Sequence, residues 1–267
     1  MKHLGIYVKK DERYAMNKTK EFLKIIGTLV VLIILTALVG VFMGVAGYNP
    51  SDGGIIVVLL SQLVMGICTY FIIKKIKVKD NGIQSDSWKM IIIGLGTAGF
   101  GNILLAQLIN MIGEDNTLVK NSYDMLTNAF TSNTSFELFI QILVIVFVAP
   151  IVEEYLFRGY VFTECKKLFS LTTSVILNGL LFGLFHMNLL QGINTFFMAM
   201  VLSLVYYHRA NIKDSIIVHM SNNAVAILPT FFPQAMLLIS VIMVLCIFIG
   251  LYFLIKICKA KEKNQPQ

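Results

Sequence analysis

Charge is what this sequence has least of. Asp, Glu, Lys and Arg make up 14% of it and hydrophobic residues 57%, with a mean hydropathy of +0.76. Soluble globular domains hold about 25% charged and about 45–50% apolar residues, so the composition excludes a soluble fold and implies a membrane protein. Cysteine is sparse too. Cys68, Cys165, Cys246 and Cys258 form no CxxC pair, which leaves no disulfide framework or metal knuckle and makes buried inert thiols the better reading. No Gly/Ser linker, low-complexity tract or internal repeat divides the 267 residues, as expected of one polytopic domain. There is no zinc-finger spacing, and the basic residues are not interleaved with aromatics. The net charge of +7 therefore gives no sign of a nucleic-acid partner.

What is present is long apolar runs. A spanning helix needs about 20 predominantly apolar residues, and eight candidates stand at 25–47, 54–73, 90–112, 136–160, 172–188, 192–207, 214–230 and 235–256. The expected fold is all-α: a polytopic membrane helix bundle of about eight transmembrane helices. It occupies 25–256 between tails at 1–24 and 257–267. The fifth and sixth runs are short, and the thin break between them, Asn188–Gly192, suggests an adjacent antiparallel pair. The first run is longer than a signal-peptide core and reads as a retained span. With these eight spans, 21 of the 22 Lys and Arg residues fall on one side and only Lys120 on the other. The positive-inside rule then makes both termini cytoplasmic. The basic excess serves orientation and contact with anionic membrane lipids, and Trp88, just before an apolar run, reads as an interfacial anchor. A short, apolar, Lys-rich chain of this kind reads as a multi-pass protein of a bacterial plasma membrane.

Against this background the polar residues inside the runs stand out. The stretch VAPIVEEYLFRGYVF, 148–162, carries Glu153, Glu154 and Arg158, although a charge at mid-bilayer costs roughly 2.5–3.5 kcal/mol. Pro150 lacks an N–H, so a kink is expected just before the acids. Glu154 and Arg158, four apart with the acid first, lie on one helical face and can pair. Glu153 lies about 100° around the helix and is left free. His186 ends the apolar run LLFGLFH, four residues after Phe182. His219 and Asn223 share a face of the seventh run, with Asn222 pointing elsewhere. Each motif alone also fits a structural role, as a helix end, a capped histidine or an interhelical amide. Together they are the residue types that activate water and stabilise an oxyanion. His3 and His208, in or beside cytoplasmic segments, are assigned nothing.

EEYLFR at 153–158 fits an EExxxR motif, FGLFH at 182–186 fits FxxxH, and HMSNN at 219–223 fits HxxxN. In order and spacing these resemble the CAAX-protease and bacteriocin-processing (CPBP, or Abi) family of intramembrane endopeptidases, which includes the type II CAAX prenyl endopeptidases. The likeness covers roughly 136–230. It implies hydrolysis of hydrophobic or lipidated peptide substrates, with CAAX-type or bacteriocin processing and self-immunity as the associated roles. Glu153 and His186 would activate water, His219 and Asn223 would form the oxyanion site, and Glu154 and Arg158 would support them. Members of the family are described both as metalloproteases and as metal-independent glutamate proteases. Asn is a poor zinc ligand and no HExxH is present, which favours no required cofactor, while a zinc ion on Glu153, His186 and His219 stays open. Two other readings are a non-catalytic immunity or binding protein of the same fold and an ion-coupled transporter. The transporter lacks support from any inverted repeat. Depth counting places Glu153 and His219 in the cytoplasmic half and His186 toward the far end of its run. The set therefore assembles only if helices tilt or the fourth and fifth extend beyond their apolar runs.

The orientation has a direct check. Green fluorescent protein fused after Gln267 should fluoresce and alkaline phosphatase at the same place should be inactive, with the reverse at fusions near Asp115.

Overall fold

The computed structural model describes residues 2–47, 55–129 and 134–262. Its described residues are helical with short connections: α1 Lys2–Val45, α2 Ile55–Ile73, α3 Trp88–Ile112, α4 Thr117–Ala129, α5 Ser135–Leu168, α6 Leu171–Phe185, α7 Leu189–Arg209, α8 Ile212–Val225 and α9 Met236–Glu262. A single turn at Leu228–Phe231 joins α8 to α9. Six of these helices (α1, α2, α3, α5, α7 and α9) are long and apolar enough to cross a membrane, and α6 is a shorter apolar helix. The chain is a multi-pass helical bundle.

Each of the eight expected runs falls on a helix, but several limits move. Helix α1 begins at Lys2, within the segment expected as a tail, and α9 runs on to Glu262. The connection expected at 48–53 and the last residues, 263–267, lie outside the described residues. The segment after α3 is more than a loop: it holds the amphipathic α4, tied to the start of α7 where Asn188 Nδ2 donates to the Ser122 carbonyl at 2.9 Å.

The fourth run needs the largest correction. It is expected to end near 160 but continues to Leu168, because Arg158 is fully buried and marks no helix end. Nor does Pro150 break the helix. The residues before it, Leu143–Val148, are wound as a π-helix, and so are Tyr155–Phe162 beyond the acids. A π-turn absorbs the extra residue and the disturbed hydrogen bonding within one continuous helix. Thr163 supports the second widening by donating its hydroxyl to the Arg158 carbonyl, five residues back, at 2.8 Å.

The shortest of the eight, α8, sits inside a cage of α3, α5 and α7. Facing protein on most sides, it need not be long or uniformly apolar, which is why His219, Asn222 and Asp214 can lie buried on it. Close approach sets its position. A Cβ at Gly94 of α3 would collide with the Val218 carbonyl and lie 2.7 Å from Ser221 Cβ. At the other end, Asn211 caps α8 by accepting from Lys213 N at 3.3 Å. There the connection from α2 to α3 is clamped onto the α7–α8 corner. Ile212 N donates to the Lys79 carbonyl at 2.9 Å, Arg209 makes a two-pronged pair with Asp86 at 2.7 and 3.0 Å, and Asp214 accepts from Arg209 at 2.7 Å and Ser87 at 2.6 Å. The Arg209 hydrogen bonds, followed by that of Lys89, hold the Asp86 carboxyl below its usual range. A depressed carboxyl contributes stability above its unfolded pKa and loses it as pH falls through the folded one, so the clamp loosens only under acid conditions.

Gly94→Ala should lower stability by about 1–3 kcal/mol, the usual effect of overpacking. Gly27→Ala, at a helical glycine with open space around it, should be neutral or stabilising. Thermal unfolding of the two variants in detergent checks the contrast.

Candidate active site

Two adjacent carboxylates of α5 have different surroundings. Glu154 is fully buried, and its Oε1 accepts from Arg158 Nη1 at 2.7 Å and from His219 Nδ1 at 2.8 Å. Glu153, one residue earlier and rotated around the helix, is 8% exposed and has His219 Nε2 3.7 Å from its Oε2, too long for a hydrogen bond. Glu154 Oε1 is therefore shared by two partners while its buried Oε2 has none, and Glu153 makes no hydrogen bond among the described residues.

Arg158 extends the network. Its Nη2 donates to the Ala199 carbonyl on α7 at 3.2 Å, and its guanidinium lies 4.9 Å from the centre of the Phe182 ring on α6. The same Ala199 carbonyl accepts from Ser203 Oγ at 2.7 Å, and Ser203 in turn accepts from Asn178 Nδ2 of α6 at 2.9 Å. A buried polar chain thus runs from Asn178 through Ser203, Ala199, Arg158 and Glu154 to His219, joining α6, α7, α5 and α8.

These contacts fix the histidine tautomers. The Arg158 guanidinium carries only donors, so Glu154 Oε1 is the acceptor of their bond. As an acceptor, the same oxygen receives its second bond from His219 Nδ1, which carries the proton it donates. His186 Nδ1 lies 2.8 Å from the Phe182 carbonyl, which also only accepts, so that nitrogen is protonated too. Neutral His186 and His219 each present Nε2 as a lone pair. Phe182 stands between them, edge-to-face with both rings at centroid distances of 4.7 and 5.8 Å.

His186 reaches the acids because of the longer α5. Glu153 lies 15 residues before Leu168, and His186 lies 15 residues after Leu171, across the turn that joins α5 to α6. In an antiparallel pair those positions lie at similar depth. With the helix end set at 160, the sequence placed His186 too far away. Beyond His186 the chain reverses at once through Met187, which takes a left-handed φ of 51°, and Asn188, which caps α7. Gly183 and Gly192 then let α6 and α7 touch backbone to backbone, a Cβ at Gly183 lying 2.6 Å from the Gly192 carbonyl.

Asn223 is placed differently from the rest. Ala149 N–H bonds to the Val144 carbonyl, five residues back. The next donor in that register would be Pro150, which has no N–H, so the Ile145 carbonyl is left over. Asn223 Nδ2 donates to it at 3.0 Å, and Asn223 Oδ1 lies 3.4 Å from Asn222 Nδ2. The structure therefore brings Glu153, Glu154, Arg158, His186 and His219 together around Phe182, while Asn223 secures the π-wound part of α5 and keeps one amide N–H uncommitted. The contributions of Ala199 and Ile145 are carbonyls, invisible in a sequence. Pro150 hinted at the second, but only once the π register is known.

Zinc would need Glu153, His186 and His219 on one centre. Among the described residues no group of three or more His, Cys, Asp or Glu side chains is arranged to hold a metal ion.

Asn223→Leu should strand the Ile145 carbonyl and cost about 1–3 kcal/mol. A Pro150→Ala background restores a backbone N–H to α5 and should reduce that cost. Chemical unfolding of the single and double variants measures the difference.

No curated protein and no solved structure matches the chain. Residues 135–225 match the family model described as Rce1-like, type II CAAX prenyl endopeptidase Rce1-like. That segment contains every residue of the network around Glu154, and over it the chain is similar to a family of proteases.

Proposed function

We propose that the protein is an intramembrane endopeptidase that hydrolyses peptide bonds with a water activated by Glu153. The observation that carries this reading is the unequal treatment of the two acids: Arg158 and His219 both bond to Glu154 Oε1, while Glu153, 8% exposed, has no partner within hydrogen-bond range among the described residues. A water at ordinary hydrogen-bond distance from both Glu153 Oε2 and His219 Nε2 fits their separation of 3.7 Å. Glu153 takes a proton as the water oxygen attacks the scissile carbonyl carbon, and it returns that proton to the departing amide nitrogen as the C–N bond breaks. His186 orients the water through its Nε2. The oxyanion is met by the remaining Asn223 amide N–H, and His219, whose Nε2 accepts from the water, holds that water beside Glu153. No step requires a metal ion, so activity should survive chelation.

The substrate class follows from the setting. The catalytic groups lie within a bundle of apolar helices, so a substrate must be membrane-associated, with a hydrophobic or lipidated end. The similarity to type II CAAX prenyl endopeptidases supports a prenylated, CAAX-type peptide. The excess of Lys and Arg at one end of the bundle supports a plasma-membrane protein with both termini in the cytoplasm.

Glu153→Gln should lower turnover by about 10²–10⁴-fold, the range expected for loss of a general base, with folding intact. Peptide-terminus profiling of cells expressing the wild type and this variant at matched levels checks it. Termini present only with the wild type are expected. Indistinguishable profiles, with the variant folded and abundant, would replace the protease with a binding protein.

A further inference from the structure

Two helices outside the matched segment, α3 and α9, form a second feature together with α7. At the Lys/Arg-rich end of the bundle a cavity of about 370 Å³ lies between α3, α7 and α9, walled by Asp86, Lys89, His208, Arg209, Phe253 and Lys256. Directly along the same three helices, toward the bilayer interior, lies an apolar cavity of about 330 Å³ lined by Ile93, Thr97, Val201, Leu204, Gly250 and Leu251 among others. The two are in helical register. Lys89, Ile93 and Thr97 follow one another at four-residue steps on α3, and Val201, Leu204 and His208 share a face of α7. On α9 the groove residues Gly250 and Leu254 lead within one turn to Phe253, Lys256 and Ile257 of the basic cavity. A charged compartment thus stands one to two helical turns above an apolar one.

We propose that this seam binds one anionic phospholipid, its phosphate in the basic compartment and an acyl chain in the groove below. Charge complementarity selects the occupant: Lys89, Arg209 and Lys256 outnumber Asp86, the one acid in the wall. Asp86 is itself occupied by Arg209 at 2.7 Å and Lys89 at 3.2 Å. Lys256 has no ion pair or hydrogen bond among the described residues and is exposed. Arg209 donates three of its five N–H groups to carboxylates and retains two. The N-terminal end of α3, whose backbone dipole favours an anion, opens beside Lys89, and Trp88 and Phe253 meet edge-to-face at 5.7 Å where the headgroup meets the chain. Basic pockets between transmembrane helices on this side of a bilayer suit anionic headgroups. The bound lipid steadies α7, whose opposite face supplies the Ala199 carbonyl to Arg158.

The test is native mass spectrometry of the full chain in detergent with dioleoyl phosphatidylglycerol or dioleoyl phosphatidylcholine added. The wild type should retain one phosphatidylglycerol under activation that strips phosphatidylcholine. Lys256→Glu alone, at an exposed unpaired position, and Lys89→Glu/Lys256→Glu should lower that retention, the pair by about tenfold. Lys74→Glu/Lys75→Glu, the same charge change away from the cavity, should leave it unchanged. Leu251→Trp, which fills the groove, should reduce retention with the basic residues intact. Equal retention of the two lipids, or equal loss in the Lys74/Lys75 control, would overturn the proposal in favour of diffuse surface charge. Inorganic phosphate alone should not raise the thermal midpoint, and stabilisation equal to that given by the lipid would overturn the acyl-chain part. None of these readouts depends on peptidase activity.

Discussion

A fully buried ion pair, Glu154 with Arg158, organises the centre of this bundle. Two charges at zero exposure repay their desolvation only when their geometry and additional hydrogen bonds are good. Here the extra bonds come from three other helices: His219 from α8, the Ala199 carbonyl from α7 and the Phe182 ring from α6. These contacts bring four helices into register, although Glu154 Oε2 and Arg158 Nε stay buried without a hydrogen bond. The same arrangement treats the neighbouring carboxylates unequally, because Glu154 bonds to Arg158 and His219 and Glu153 is left without a hydrogen bond, as its proposed role requires.

The second constraint is backbone bookkeeping in α5. With no water available in a bilayer core, every backbone polar group needs a partner within the protein. The π-turns and Pro150 leave the Ile145 carbonyl unpaired, and Asn223 meets it from α8. His219 and Asn223, four residues apart, thereby hold α8 to α5 at two levels, one through an ion and one through a carbonyl. The supporting amide and the candidate catalytic imidazole lie on one helical face because each secures the same pair of helices.

Much of this could be read from residue types. Low charge and eight apolar runs gave the class of fold, and EEYLFR, FGLFH and HMSNN drew attention to the residues that cluster around Phe182. Three things stayed hidden for physical reasons. Arg158, Lys166 and Lys167 look like the end of a span, so the helix was cut at 160 although it continues to Leu168. That error alone made His186 seem too distant. The π-windings depend on hydrogen-bond register, which leaves no mark in a residue pattern, so the partner of Asn223 was out of reach. The polarity of α8 reflects enclosure by α3, α5 and α7, a property of the assembled bundle. The amphipathic α4 is too polar to count as a span, so apolar run length does not mark it.

If the buried pair organises the site, its two members must be energetically coupled. A double-mutant cycle of Glu154→Met, Arg158→Met and the combination, by reversible unfolding in detergent micelles, measures this. Each single change leaves an uncompensated buried charge and should cost about 3–5 kcal/mol. The double variant, which removes both charges and leaves an apolar pair, should lose clearly less than the sum of the two. Additive losses would mean that Glu154 and Arg158 act independently, and would contradict the account of why Glu153 is the acid left free.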